Sequence, residues 1–293
     1  MAGFFKNYFY GKSGKRDFTE ADLPETRVRL FIQVLGVRMG GLVGLNLLYL
    51  LIWLPAIIWT IVNFASFMVV NIPSSEEVQR TLYTWVLILF PLIAITGPFN
   101  AGISYVLHRW ARDEHSFTFA DFKKGVRENW KQGLLFGIVD GAIPLLVYLC
   151  DRFYSSLTQR SPLFYLPLAA VLIAGLVWFL AAPIVPVMIV SYQQSFIGHL
   201  RNSILMTLVQ LPRSVAIRLL TLAVPVAAHL SLTYFYPAIS WVISIGALLY
   251  IVILLSFNRL IWASYANFLG EKYLNPKIPG ARTNIGLRPK DLP

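Results

Sequence analysis

Cys150 is the one cysteine in 293 residues, which leaves no partner for an intrachain disulfide, no multi-cysteine metal site and no redox pair. Charge is scarce as well. Asp, Glu, Lys and Arg make up 13% of the chain, against about a quarter in soluble domains. Recurrent enzyme signatures are missing: there is no GxxxxGK[ST] phosphate cradle, no GxSxG nucleophile elbow and no HExxH zinc pair. His108, His115, His199 and His229 are too scattered for a metal cluster, and no carboxylate pair is placed for glycosyl chemistry. An enzyme, a cofactor and a metal are therefore not expected.

What the chain has in excess is apolar length. It is 57% hydrophobic with a mean hydropathy of +0.63. Residues 41–71, 82–107, 163–198 and 219–258 contain no Asp, Glu, Lys or Arg, and 133–150 is interrupted only by Asp140. Each run is long enough for a hydrocarbon layer about 30 Å thick, and the last is long enough to cross twice. The fold class expected is an all-α polytopic membrane bundle with six spans, near 41–71, 82–108, 133–151, 163–191, 219–237 and 238–258.

The formal charge of +11 would suggest nucleic acid in a soluble protein. Here its distribution decides otherwise. Alternate inter-span segments hold 22 of the 25 Lys and Arg, and the other set holds 3. The positive-inside rule then puts both termini on the cytoplasmic side. The bilayer is the expected partner, and no nucleic acid is expected.

Residues 1–40 read as a cytoplasmic aromatic and basic leader followed by an amphipathic helix over 26–38. The leader has neither the apolar core nor the cleavage site of a signal peptide. Between the second and third spans, Phe119, Phe122, Val126 and Trp130 recur at steps of three and four, with Lys123, Lys124, Arg127 and Lys131 on the other face. This predicts a cytoplasmic helix near 118–132, capped by Thr118 and Asp121, whose stripe meets the bundle, the bilayer or a partner; Asn129 belongs to the same docking surface. A second such helix is predicted near 195–210, with a stripe of Phe196, Ile197, Leu200, Ile204, Leu205 and Leu208 and with His199 to the side. Five of the six spans carry proline, so the last should be the straightest. The segment 259–293 opens as a helix and ends in a Pro/Gly-rich stretch expected to be extended or disordered.

Within the spans, Asp140 lies about 12 Å from the inner end at 1.5 Å per residue. An ionised carboxylate there costs a few kcal/mol unless it is paired or wetted. One reading makes it a ligand in a polar cavity; the other makes it a structural group bonded to Asn46 or Asn100. Asn46, Asn63 and Asn100 otherwise serve as interhelical hydrogen-bond donors. Gly97 and Pro98 mark an expected helix break, because proline frees a carbonyl that lipid cannot satisfy.

Gly97, Pro98, Ala101, Tyr105, Val106 and Arg109, then Glu114, His115 and Phe117, Asp121 and Phe122, and finally Asn129 to Gln132 form one pattern. This stretch, 97–132, resembles the signature of the YesL family of bacterial membrane proteins. The resemblance implies a bacterial cytoplasmic-membrane protein in a carbohydrate-utilisation setting. It does not imply a permease, since the sequence around Leu211-Pro212 lacks the Glu-Ala-Ala of the permease coupling loop. The resemblance leads to the expectation of an accessory or regulatory subunit of an oligosaccharide ABC importer, docked to permease and nucleotide-binding subunits. The proline-broken spans with polar residues at depth lead to the alternative, a stand-alone small transporter or channel, as a homo-oligomer, whose polar site is Asp140, Asn100 and Asn46.

Overall fold

Backbone groups inside lipid must bond within their own segment, so long apolar runs are driven to helix. The computed structural model describes residues 22–69, 74–234 and 239–289, and all its regular elements are helical. The leader over 1–21 lies outside the described residues. In chain order the elements are α1 (Arg27–Val69), α2 (Ser75–Trp110), α3 (Thr118–Thr158), α4 (Tyr165–Ala181), α5 (Val185–Ser191), α6 (Phe196–Val209), α7 (Leu211–Thr221), α8 (Ala223–Tyr234), α9 (Ile239–Leu249) and α10 (Leu255–Tyr273). A π-helical turn, Tyr250–Leu254, joins α9 to α10. Short 3-10 turns precede α4 and follow α10.

Among the described residues, five helical stretches are long and apolar enough to cross a membrane, and six if the α6–α7 pair, bent by 97°, counts as one. The chain is a multi-pass membrane protein. The first three expected spans fall on α1, α2 and α3. These helices run well past the apolar cores, so the stretches near 26–38 and 118–132 are the leading turns of α1 and α3 and not separate elements. The fourth expected span divides at Ala182–Ile184, where Pro183 and Pro186 interrupt the ladder between α4 and α5. The stretch expected to cross at 219–237 is split at Leu222, and α8 alone has 12 residues, about 18 Å of rise. The span expected to be straightest carries the π turn.

Gly97 and Pro98 do not break α2, which is continuous through Pro91 and Pro98. Gly97 instead permits a close helix pairing, the tightest among the described residues. A Cβ on Gly97 would lie 2.1 Å from the Gly133 carbonyl, one on Gly137 2.3 Å from the Ala94 carbonyl, and one on Gly141 2.5 Å from the Phe90 carbonyl. The α2–α3 hairpin is thus a seam of small residues that brings two backbones into contact.

The apolar stripe of α6 is split between the bundle and its surroundings. Phe196 and Leu200 pack against the cluster of Phe136 and Trp178, while Ile197, Leu205 and Leu208 are exposed and His199, Ser203, Met206 and Thr207 are buried. An apolar side chain turned outward costs nothing where the surroundings are hydrocarbon, so polar residues take some of the inward positions on this helix. Over α3, the stripe near 118–132 is divided. Phe122 and Val126 pack on α2, while Phe119 and Trp130 face outward.

Candidate functional site

A cavity of about 600 Å³ lies between α1, α2, α3, α4, α7 and α10. One end is polar and aromatic, with Tyr49, Asn100, Asp140, Trp178, Arg218 and Arg259. The other is aliphatic, with Ile143, Val147, Leu172 and Leu176. The sequence candidates Asp140 and Asn100 share this space.

Asp140 reaches the cavity from α3, one helical turn before Pro144. Its Oδ1 accepts a hydrogen bond from Trp178 Nε1 at 3.0 Å. Neither Arg218 nor Arg259 approaches it within ion-pair distance, although both interact with it electrostatically across the cavity. Its second oxygen has no hydrogen-bond partner among the described residues.

Arg218 is held by a consequence of proline chemistry. Pro183 has no N–H, so the carbonyl four residues earlier, Phe179, lacks its helical donor. The Arg218 Nη2 donates to that carbonyl from α7. Its guanidinium is stacked between the rings of Phe179 and Trp262, at 4.0 and 4.9 Å from their centroids. The same rule operates at Pro225, whose freed carbonyl, Thr221, accepts from Asn258 Nδ2 at 3.1 Å.

Arg259, on α10, donates through Nη2 to Asn100 Oδ1 at 3.1 Å and lies over the Tyr49 ring at 5.6 Å. Asn100 Oδ1 also accepts from the Tyr49 hydroxyl at 2.8 Å, and its Nδ2 donates to Thr96 Oγ1 at 3.2 Å. Thr96 in turn donates to the Ile93 carbonyl at 2.8 Å. Asn100 is therefore the fixed end of a relay that orients Arg259, with its oxygen already taken.

Asn46 is elsewhere. Its Nδ2 donates to the Tyr250 and Ile251 carbonyls, each at 2.8 Å, and its Oδ1 accepts from Ser256 N–H at 2.9 Å. It clasps the π turn and does not line the cavity. Asn129 donates to the Gly125 carbonyl of its own helix at 3.0 Å. Asp121 accepts from Ser116 Oγ, Phe117 N–H and Arg109, at 2.7, 2.9 and 3.2 Å, so α3 starts at a Phe117 cap held from inside the helix, not at a Thr118 cap.

The two arginines are absent from the sequence-derived site because each terminates an apolar run and counts there as a flanking cation. The signal that could have placed them is positional: both border the same run, 219–258, and Arg218 follows a proline-rich span whose freed carbonyls need donors.

Comparison with known families gives one match. Residues 42–149 fit the model of a family described as "Protein of unknown function, DUF624". The matched part runs from α1 through α3 and includes the 97–132 signature. No curated protein and no solved structure matches the chain. The chain thus carries the DUF624 pattern over its first three helices, with Tyr49, Asn100 and Asp140 inside the matched part and Trp178, Arg218 and Arg259 beyond it.

Proposed function

We propose that this protein is a stand-alone membrane carrier that binds its solute in the cavity between Asp140 and the Arg218–Arg259 pair. The observation behind this reading is the placement of three charged groups on one cavity wall set without direct pairing. A buried charge in a low-dielectric region costs several kcal/mol unless compensated. Three such charges around an open space are poor glue, and a ligand that completes their hydrogen bonds offsets the cost. The role proposed is binding and movement, without bond making.

The charge pattern of the segments between spans supports cytoplasmic termini in this reading. That orientation requires an even number of crossings, one more than the five long helical stretches. The bent α6–α7 pair, counted as one span, would bring the number to six.

Reconstitution tests the proposal. Proteoliposomes are loaded by external challenge with a panel of sugars, organic acids and phosphate esters, and uptake is compared between wild type and Asp140→Asn. Uptake above empty liposomes that falls to background in the variant is the expected result; identical uptake in the two proteins defeats the carrier reading. The importer-accessory role draws on the exposed aromatic pair Phe119 and Trp130 at the α3 end. Stoichiometric recovery of permease and nucleotide-binding subunits from native membranes would favour it instead.

A further inference from the structure

The cavity is asymmetric in two ways at once, and together they specify a ligand class. Its charged end holds two guanidiniums and one carboxyl group, a formal net charge of +1. Its other end is formed by Ile143, Val147, Leu172 and Leu176 and is aliphatic. Leu172 and Leu176 are exposed, so this end of the cavity is open and not sealed within the core.

The arginines keep donors open to the cavity. Their charge neighbours are aromatic rings, Phe179 and Trp262 at 4.0 and 4.9 Å from Arg218 and Tyr49 at 5.6 Å from Arg259, which offer no oxygen for the guanidinium N–H groups. Each group spends Nη2 on a protein oxygen, Phe179 O for Arg218 and Asn100 Oδ1 for Arg259, and neither Nη1 has a partner among the described residues. Planar edges with open donors are the geometry that carboxylate and phosphate oxygens take up. Asp140 keeps one oxygen free to accept from a hydroxyl or amine of the same ligand.

Resting on the carrier reading, we propose that the ligand is an amphiphilic monoanion: a single carboxylate or phosphate group between Arg218 and Arg259, a donor on Asp140, and an apolar body along Ile143, Val147, Leu172 and Leu176. One acidic group neutralises the +1 of the site. A neutral sugar leaves the cations unsatisfied, and a fully polar anion leaves the aliphatic end empty. The acidic group can belong to a bilayer lipid or to a free solute.

Trp53 and Trp178 line the cavity and report on its contents. The full chain is placed in phosphatidylcholine nanodiscs doped with tail-brominated phosphatidylglycerol or, separately, tail-brominated phosphatidylcholine, and tryptophan quenching is recorded. Thermal stability is measured in parallel with added glycerol 3-phosphate, octanoate or octyl glucoside. Arg218→Gln, Arg259→Gln and Arg218→Lys are compared, the last keeping charge without the planar edge. Preferential quenching by phosphatidylglycerol, weakened at least tenfold in apparent affinity by either Gln variant, assigns a lipid source. Stabilisation by octanoate, absent with octyl glucoside and lost in the Gln variants, assigns a free amphiphile. Equal quenching by both lipids with no Arg-dependent response to any added compound overturns the proposal. So does glycerol 3-phosphate binding as tightly as octanoate, because it shows the aliphatic end unused. These readouts need no transport, so a failed uptake assay with intact Arg-dependent binding would remove the carrier role and leave the ligand class standing.

Discussion

Asn46 and Ser256 join the first and last long helices backbone to side chain: the Asn46 Oδ1 accepts from the Ser256 N–H at 2.9 Å while Ser256 Oγ donates to the Leu42 carbonyl at the same distance. The pairing exists because the π turn at Tyr250–Leu254 disrupts the ladder. A π turn shifts the register from i→i+4 to i→i+5, and the unmatched groups at Tyr250, Ile251 and Ser256 need outside partners. Asn46 supplies all of them with one amide. Asn46→Leu conserves shape and removes three hydrogen bonds from a fully buried position, so unfolding free energy in mixed micelles should fall by about 2–4 kcal/mol. Because the residue is remote from the cavity, ligand affinity in the folded fraction should stay within twofold. A stability change below about 0.5 kcal/mol would mean that the turn re-registers without help.

Gly97 and Gly40 make a matched pair of opposite expectations. A Cβ at Gly97 meets the Gly133 carbonyl at 2.1 Å and the Gly137 Cα at 2.9 Å, both backbone atoms that cannot step aside singly. Gly97→Ala should force α2 and α3 apart and cost about 2–4 kcal/mol, the range seen for strained or overpacked cores. Nothing lies within 4 Å of a Cβ built on Gly40, inside α1. Gly40→Ala should leave the packing intact and raise stability by about 0.5–1 kcal/mol through helix propensity. Thermal melts of the two single variants against wild type check both; a neutral Gly97→Ala would show that the seam is looser than the contacts describe.

Trp178 and Asp140 should be coupled. Asp140→Asn retains an oxygen for the Trp178 N–H, so folding should survive with a change under about 1 kcal/mol, whereas Trp178→Phe strips the carboxylate of its donor. In a double-mutant cycle with Asp140→Leu the interaction should amount to about 1–2 kcal/mol. The Asn variant also takes the cavity from a net +1 to +2. An anionic probe should then bind at least as tightly as to wild type while uptake is lost, because the charge balance that lets the ligand leave has been removed. For octanoate, which has no hydroxyl or amine to lose on Asp140, weaker binding to Asp140→Asn would show that the added positive charge does not act on the anion and would contradict the assignment of the arginines.

The legibility of the molecule in its sequence follows from what marks a residue as unusual. Asp140 is conspicuous because it alone interrupts a long apolar run, and the first three spans are legible because hydrocarbon thickness sets their minimum length. Arg218 and Arg259 carry as much of the site, yet each stands at the edge of a run, where a cation is ordinarily an interfacial anchor. What recruits them is tertiary: a carbonyl released by Pro183 and a ring surface from Tyr49, neither of which has a fixed sequence distance from its partner. Asn46 was equally conspicuous as a buried amide, but periodicity has no signature for a π turn, so its partner could not be named. Which residues of the α6 stripe face outward is not legible for a different reason. Amphipathicity fixes two faces of a helix and is silent on which one meets the protein when the surroundings are themselves apolar.

The residues after α10, expected to be extended or disordered, are described through 289 and are pinned to the start of α1. Arg27 pairs with Glu271 and donates through Nη1 to the Ile285 carbonyl at 3.0 Å, and Arg288 N–H donates to the Pro24 carbonyl at 3.1 Å. Leu287 packs on the same core as Leu30 and Trp110. The turn before it needs Gly286, whose φ of +76° disfavours any side chain and whose Cβ would meet the Arg112 carbonyl at 2.7 Å. Two independent variants should therefore release the segment by different routes: Arg27→Ala by deleting a cation that two acceptors share, and Gly286→Ala by making the turn itself unfavourable. In the purified protein, trypsin cleavage at Arg282 should accelerate at least tenfold in each, while cleavage at Arg213 on α7 stays at the wild-type rate. Local opening costs far less than global unfolding, so selective acceleration at Arg282 separates detachment of this segment from loss of the bundle. If neither variant changes the rate at Arg282, the contacts with α1 do not hold the segment, and its order must come from residues 275–281, where Asn275 Nδ2 donates to the Arg282 carbonyl at 2.9 Å.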